Sequence, residues 1–159
     1  MKKTLSIKNF YLFVFGLCII SLVSAVYIEH ILEQPPCKLC LYQRIPYIIS
    51  IFICFIGFNY NKNFFWLYLL ILVFAFSITL SGYHVGIENN IFKEFSGCTN
   101  NNLNITNKLE LLNSLNKTLP NCKNVNFRLL GLSLATVNLI ISLLIVMLSI
   151  VFIKHEKNK

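Results

Sequence analysis

Four long apolar segments constrain the fold of this chain more than any other feature. Residues 10–28, 64–82 and 129–153 are each long enough to cross a bilayer, which takes about 20 apolar residues in a helix. Residues 45–60 are shorter, but they reach the same length if residues 42–44 supply a first helical turn. Charged residues make up 13% of the chain, which is too few for an ordinary soluble domain. The sequence therefore predicts an all-α membrane protein, a single domain built as a four-transmembrane-helix bundle.

The bundle places two loops on one side of the membrane. The predicted helices cover about residues 10–28, 42–60, 64–82 and 129–153, and the short link 61–63 makes the middle two an antiparallel hairpin. The loops at about 29–41 and 83–128 then leave the membrane on the same side. In the second loop, a capping pattern at Asn107 and Glu110 precedes leucines at helical spacing. It predicts a short amphipathic helix at about 108–118 on the membrane surface, with a disordered linker as the alternative.

The 14 lysines and arginines indicate the orientation of the bundle. Half of them lie in short segments at the two termini and in the link 61–63, whereas the other half are spread over the two longer loops. Positive charge is concentrated in cytoplasmic segments, so we expect both termini in the cytoplasm and both loops in the periplasm. Topology thus explains the formal charge of +8, and we expect no nucleic-acid partner. A signal-peptidase site at residues 23–25 is an alternative for the first apolar run, and its use would leave the loops on the same side.

The six cysteines divide into two groups by position. Cys18 and Cys54 lie within predicted helices, and we interpret them as small buried hydrophobic residues. The other four lie two by two in the two loops, on the side where disulfides persist. They are Cys37, Cys40, Cys98 and Cys122.

The first loop pair forms a C-x-x-C motif. A bridge between Cys37 and Cys40 closes too short a loop to constrain much of the chain, which favours redox chemistry over a structural disulfide. Only His30 and His84 offer further strong metal ligands in the loops, so we expect no metal. The alternative class of function is a non-catalytic membrane scaffold held by structural disulfides.

The surroundings of this motif favour a reactive thiol. Pro35 and Pro36 hold the approach extended, and the cysteines then lie at the start of the second helix. Free backbone N–H groups and the helix dipole favour a thiolate there. If the helix begins near Cys40, Arg44 lies one turn further on the same face and brings a cation near the sulfur.

Three short motifs resemble those of the disulfide bond formation protein B (DsbB) family. They are Cys-x-x-Cys-x-Tyr-Gln-Arg at 37–44, Tyr-His-Val-Gly-Ile-Glu at 83–88 and Arg-Leu-Leu-Gly-Leu-Ser-Leu-Ala at 128–135. Each is modest alone, but their order and spacing across residues 30–155 are specific. The resemblance implies an inner-membrane oxidoreductase that reoxidises a periplasmic, thioredoxin-like (DsbA-like) dithiol oxidase. It would pass two electrons to a membrane quinone, ubiquinone or menaquinone. A divergent member serving a dedicated partner is the rival within the family.

The same resemblance assigns roles to the four loop cysteines. Cys37 and Cys40 would be the quinone-coupled pair, with Cys40 as the thiolate that engages the ring. Cys98 and Cys122 would form the second pair, with Cys98 as the site of the mixed disulfide with the partner. Cys122 would then exchange with Cys37 between the loops.

Two further residues receive roles from the motifs. Arg44 and His84 would flank the quinone head group. Without the resemblance, Arg44 is equally an anchor at the membrane interface, and His84 a residue that caps a helix end. Glu88 lies one turn after His84, and we expect it to be solvated.

Overall fold

The computed structural model describes residues 7–60, 64–93, 122, 128–129 and 131–157. A long helix opens the chain, α1 (Ile7–His30), and two helices in line follow, α2 (Lys38–Tyr42) and α3 (Arg44–Asn59). A second long helix is α4 (Phe65–Glu88). Two short antiparallel strands, β1 (Arg128–Leu129) and β2 (Leu132–Ser133), then precede α5 (Leu134–Lys157).

Four helical stretches are long and apolar enough to span a membrane, taking α2 and α3 together. They are Ile7–His30, Lys38–Asn59, Phe65–Glu88 and Leu134–His155. Large apolar side chains cover their outer faces; Phe52, for example, is 64% exposed and Leu72 65%. Such a surface is unfavourable in water but suits a lipid environment. The prediction of an all-α bundle of four transmembrane helices is confirmed.

Several helix boundaries differ from the sequence prediction. The second spanning helix begins at Lys38 and not at residue 42, and the last ends at Lys157 and not at residue 153. Two larger differences concern the end of the third spanning helix and the start of the last. The third spanning helix continues past residue 82 to Glu88, because Ser81, His84 and Ile87 are buried in the bundle. A decline in hydropathy therefore did not mark its end, and the loop predicted at 83–128 begins later. The last helix begins at Leu134 and not at residue 129, because β1 and β2 pair as a tight hairpin directly before it. Gly131 turns this hairpin with a φ of +84°, a conformation that glycine adopts without strain.

The second spanning helix is interrupted at Gln43, between α2 and α3. Pro46 has no backbone N–H to donate to the carbonyl four residues earlier, so the hydrogen-bond ladder is broken at this point. Gln43 keeps right-handed helical dihedral angles, with φ −67° and ψ −16°. The two helices therefore continue in nearly the same direction. Gln43, at their junction, is buried, with 7% of its surface exposed.

Close helix packing forms the core. The most extensive contact between helices is that of α4 with α5. The contact of α1 with α3 comes next, followed by that of α3 with α4. The hydroxyls of Ser77 and Ser142 lie 3.0 Å apart and join α4 to α5. Cys18 and Cys54 are 0% and 1% exposed, which confirms their interpretation as buried residues. The predicted amphipathic helix at 108–118 lies outside the described residues, as does Cys98.

Candidate redox site at one end of the bundle

Cys37 caps the N-terminus of α2. Its backbone is extended, with φ −71° and ψ 166°, and its side chain accepts a hydrogen bond from the backbone N–H of Cys40 at 3.4 Å. Capping satisfies one of the N–H groups that a helix start leaves without a partner. The two prolines before it lead the chain to this point in an extended form. The C-x-x-C motif therefore opens the second spanning helix, as its sequence context indicates.

The two sulfurs of this motif lie side by side. Cys37 and Cys40 are both free thiols in the structure, without a disulfide bond, and their Sγ atoms are 3.0 Å apart. The Nε2 atom of His84 approaches the Cys37 sulfur to 3.7 Å from α4. Since the Cys37 sulfur also accepts from the Cys40 backbone, we assign it as the acceptor of the Cys40 thiol hydrogen as well. Cys37 is 6% exposed, so these groups act on its sulfur with little competition from solvent.

This convergence of donors lowers the pKa of the Cys37 thiol well below its ordinary value. The largest cause is the hydrogen bond from the Cys40 thiol, and hydrogen bonds from His84 and from the Cys40 backbone add to it, whereas burial opposes them. The thiolate of the reduced pair is therefore Cys37. The family resemblance gave the ring-engaging thiolate to Cys40, and that role in contact with an acceptor stays a prediction.

His84 connects the thiols to the rest of the bundle. It is 3% exposed, and its Nδ1 atom lies 3.0 Å from Nε2 of Gln43. Its own Nε2 lies 3.8 Å from the Glu88 carboxylate, whose side chain is only 11% exposed. The expectation that Glu88 is solvated is therefore wrong, because α4 continues through this residue and packs it into the site.

Cys122 reaches the same site from the second loop. It is 2% exposed and packs in one apolar cluster with Cys37 and Ile87. The Sγ atoms of Cys122 and Cys37 and a ring nitrogen of His84 all lie within 4.8 Å of one another. The imidazole of His84 also hydrogen-bonds the backbone of Cys122. The two loops that the sequence placed on one side thus meet at their cysteines.

Two chemistries suit such a group of atoms. The spacing of Cys37, His84 and Cys122 is compatible with a metal ion. However, the Cys37 sulfur also lies 3.0 Å from the sulfur of Cys40, which is outside that group, and a third sulfur so close suits exchange between thiols. We therefore interpret the group as a site of thiol exchange, and the expectation that it binds no metal stays a prediction.

Arg44 lies in the first turn of α3 and forms an ion pair with Glu29 of α1, at 2.7 Å. The side chains are 21% and 28% exposed, so the pair lies at the edge of the bundle. Within the described residues, no hydrogen bond joins Arg44 to Cys40 or to His84. The structure therefore brings His84 together with the cysteines and leaves Arg44 to one side of them.

Sequence reasoning missed three residues of this region. Glu29 follows the first apolar run directly, and a lone acid there could have been matched to Arg44. Gln43 stands in the Tyr-Gln-Arg motif, and the sequence of that motif does not show that its side chain is buried. Asn138 lies within the last spanning helix, and a polar side chain within a membrane span often has a functional partner. Its Nδ2 atom donates to Oε1 of Gln43 at 3.2 Å.

Comparison with known proteins agrees with this geometry. The sequence model of the family described as "Disulfide bond formation protein DsbB" matches residues 7–152, nearly the whole chain. A protein of Rickettsia prowazekii (strain Madrid E), described as uncharacterized protein RP370, is 27% identical over 148 residues, covering 89% of this chain and 85% of that protein. The family resemblance of the three motifs is thereby confirmed. Because the match extends over all four membrane spans, this chain belongs to the disulfide bond formation protein DsbB family.

Proposed function

We propose that this protein reoxidises a DsbA-like dithiol oxidase in the periplasm and passes the electrons to a membrane quinone. The observation that supports this most directly is the gathering of Cys37, Cys40 and Cys122 around His84. Exchange requires a stabilised thiolate and a second sulfur that resolves the intermediate. A purely structural disulfide needs no buried histidine beside its sulfur, so this arrangement favours catalysis over a scaffold.

Electrons enter through the second loop pair. A thiolate of the reduced partner attacks Cys98 of a Cys98–Cys122 disulfide, and Cys122 leaves as a thiolate. Cys122 then attacks Cys37 of a Cys37–Cys40 disulfide and releases Cys40 as a thiolate. The second thiol of the partner attacks the partner's sulfur bound to Cys98, which completes the partner's disulfide and frees Cys98. Cys98 finally attacks Cys122, restoring the second pair and releasing Cys37 as a thiolate.

The reduced Cys37–Cys40 pair then holds two electrons for the acceptor. A bound quinone supplies a sink for two electrons and two protons, and the Cys37–Cys40 disulfide forms again. The surroundings of Cys40 suit such a molecule, because Leu41 and Ile45 beside it are each 46% exposed and apolar. Arg44 offers guanidinium donors at the same edge and is our first candidate to hold a ring oxygen. His84 is the second candidate, although both of its nitrogens already face other side chains.

Quinone-reduction measurements test this function. Purified full-length protein is mixed with a reduced periplasmic dithiol oxidase and a short-chain ubiquinone or menaquinone, and the quinone absorbance is followed. We expect turnover by the wild type, its loss in Cys37→Ala and Cys40→Ala, and its retention in the matched control Cys18→Ala. Normal turnover without either sulfur of the motif would overturn the assignment.

Two other outcomes identify the rivals. Turnover with dithiothreitol but not with a DsbA-like protein would indicate a dedicated partner. If the wild type never reduces quinone and the loop-cysteine variants lose their fold, the scaffold is the better description.

We infer that both termini lie in the cytoplasm of a bacterial inner membrane and that the thiol cluster faces the periplasm. The density of lysines at the termini and in the link 61–63 supports this orientation. Single cysteines introduced by Lys62→Cys and Lys93→Cys in a cysteine-free chain test it with a membrane-impermeant maleimide. In spheroplasts, only the cysteine at position 93 is expected to react. Labelling of position 62 instead would show that the topology is the reverse of the one inferred.

A further inference from the structure

A row of hydrogen bonds continues from His84 into the bundle, away from the thiols. Gln43, at the junction of α2 and α3, meets Nδ1 of His84 through its Nε2 atom at 3.0 Å. Asn138 of α5 donates from Nδ2 to Oε1 of Gln43 at 3.2 Å. The Tyr47 hydroxyl of α3 donates in turn to Oδ1 of Asn138. The row therefore ties His84 to three other parts of the bundle.

The row has a direction. Because the Tyr47 hydroxyl donates to the oxygen of Asn138, the NH2 group of Asn138 faces the oxygen of Gln43. The NH2 group of Gln43 then faces Nδ1 of His84, which must accept. A neutral imidazole that accepts at Nδ1 carries its proton on Nε2.

The opposite side of the ring leads to the same tautomer. Nε2 lies 3.7 Å from the Cys37 sulfur and 3.8 Å from a carboxylate oxygen of Glu88. A thiolate and a carboxylate can only accept, so this nitrogen must donate. The imidazole also hydrogen-bonds the backbone of Cys122, which accepts and therefore likewise requires a ring N–H. The donor at Nδ1 and the acceptors at Nε2 thus agree on one protonation pattern of the neutral ring.

Burial makes this pattern costly to change. Gln43 is 7% exposed, Tyr47 5% and His84 3%, so none of them has water to replace a lost partner. The pair formed by Ser77 and Ser142 joins the far end of this row, because Ser142 hydrogen-bonds the Tyr47 hydroxyl. Only the Tyr47 row, among the described residues, ends at a group that faces a reactive sulfur.

We propose that Gln43, Asn138 and Tyr47 are positioning residues that hold His84 as the Nε2–H tautomer, with that N–H aimed at the Cys37 sulfur. The meaning of this for turnover rests on the proposed function. When Cys98 attacks Cys122 of the Cys37–Cys122 bond, the Cys98–Cys122 bond forms and the electron pair of the broken bond passes to Cys37. A fixed donor at that sulfur stabilises the charge as it develops. The other tautomer would turn a lone pair towards the sulfur and oppose the step.

The pH profile of Cys37 alkylation reads out this positioning without quinone or partner. The titratable groups that face its sulfur are Cys40 from α2, His84 from α4 with Glu88 behind it, and Cys122 from the second loop. The reduced full-length protein in detergent is treated with iodoacetamide between pH 3 and pH 9, and modification of Cys37 is mapped by mass spectrometry.

The variants act on single bonds of the row. His84→Phe removes the donor and is expected to move the midpoint of the profile to higher pH. Gln43→Leu is expected to move the midpoint upward by about one pH unit. At a pH well below the midpoint, such a shift lowers the rate of alkylation about tenfold. Asn138→Leu and Tyr47→Phe should move it in the same direction by less. Gln43→Glu should not move the midpoint upward, because a carboxylate at Nδ1 leaves a proton on both ring nitrogens and so keeps the donor at Nε2, with a positive charge that favours the thiolate. The matched control is Ser149→Ala, which removes the hydrogen bond of a buried serine to the backbone carbonyl of Ile145, outside the row, and is expected to cause no shift.

Two results would overturn the proposal. One is a wild-type profile in both Gln43→Leu and Asn138→Leu, and the other is an equal shift in Ser149→Ala, which would show a general effect of packing. If the leucine variants do not fold, Tyr47→Phe decides alone, because it removes one oxygen and must shift the profile. A shifted profile in a protein that never reduces quinone would uphold the positioning and reject the proposed function.

Discussion

Cys37 and Cys40 share a motif, yet the fold makes them chemically different. Cys37 accepts hydrogen bonds from the Cys40 backbone, from His84 and, in the assignment made above, from the Cys40 thiol. Charge therefore accumulates on one sulfur of the pair. The Cys37 sulfur also lies within 4.8 Å of the Cys122 sulfur. When a bond between these two sulfurs is broken, Cys37 is therefore a stabilised leaving group.

The lowered pKa of Cys37 predicts an unusual pH dependence. A thiol of ordinary pKa loses about 75-fold in thiolate between pH 8 and pH 6. Because the pKa of Cys37 lies well below its ordinary value, its thiolate persists over this interval and is lost only as the pH falls through the lowered pKa. We expect its rate of reaction with iodoacetamide to fall less than threefold from pH 8 to pH 6, as measured by mass mapping. A 75-fold fall would contradict the assignment, and Cys37→Ser supplies the background.

Arg44 and Glu29 allow a matched pair of substitutions. Arg44→Gln removes a charged donor, and a hydrogen bond to a charged group contributes about 1.5–3 kcal/mol, or about 10- to 100-fold in affinity. We expect the KM for quinone to rise by that factor, with little change in the rate of exchange with the dithiol partner.

Glu29→Gln breaks the same ion pair but keeps the guanidinium. Its effect on stability should stay within about 1 kcal/mol, because the pair is partly exposed, and its effect on KM should be smaller than that of Arg44→Gln. Equal losses in both half-reactions for Arg44→Gln would indicate a role in folding instead.

At the scale of elements, the contact between α1 and α3 depends on one small residue. A Cβ atom at position 57 would lie 2.7 Å from Cζ of Tyr11, whose ring packs on the backbone of α3. Tyr11 is 1% exposed, so its ring cannot swing into lipid without opening the core. Small residues commonly permit such close approach in membrane helices. The position of α1 matters for the site because its last turn carries Glu29.

Gly57→Ala is therefore expected to destabilise the bundle. The added methyl group overpacks the contact, and such changes cost about 1–3 kcal/mol. The measurement is the free energy of unfolding in mixed micelles, followed by circular dichroism.

Gly16→Ala is the matched control. Position 16 lies in α1 and has no atom within 4 Å of an added Cβ, so this variant should be neutral or slightly stabilising. Gly57→Ala in a Tyr11→Leu background should lose less stability than in the wild type. An equal loss at positions 16 and 57 would show that the Tyr11 contact is not the cause.

At the scale of the whole molecule, hydropathy was enough to predict the four spanning helices, and motif order was enough to predict the family. The number of spans predicted that the two loops share one side of the membrane, and the family resemblance implied that Cys122 and Cys37 exchange there. Hydropathy could not show that α4 carries His84 and Glu88 into the site, because their burial depends on packing against other elements. The row through Gln43 and Asn138 joins residues far apart in sequence, and no local pattern reports such a contact.

The juxtaposition of Cys37 and Cys122 makes a final prediction at this scale. In the double variant Cys40→Ser/Cys98→Ser, each of the two remaining loop sulfurs has lost its expected partner. Their Sγ atoms lie within 4.8 Å, so a disulfide between the loops needs only a small movement of the side chains. Mild oxidation should therefore form a Cys37–Cys122 bridge in high yield, seen as one linked peptide after proteolysis.

The buried cysteines serve as the internal control for this bridge. Cys18 and Cys54 should stay reduced in the same sample, because both are enclosed in the bundle where an oxidant in water does not reach them. A third substitution, Cys122→Ser, should abolish the linked peptide without creating another. Failure of Cys37 and Cys122 to link, while the protein remains folded, would contradict the arrangement of the two loops and with it the electron path from Cys122 to Cys37.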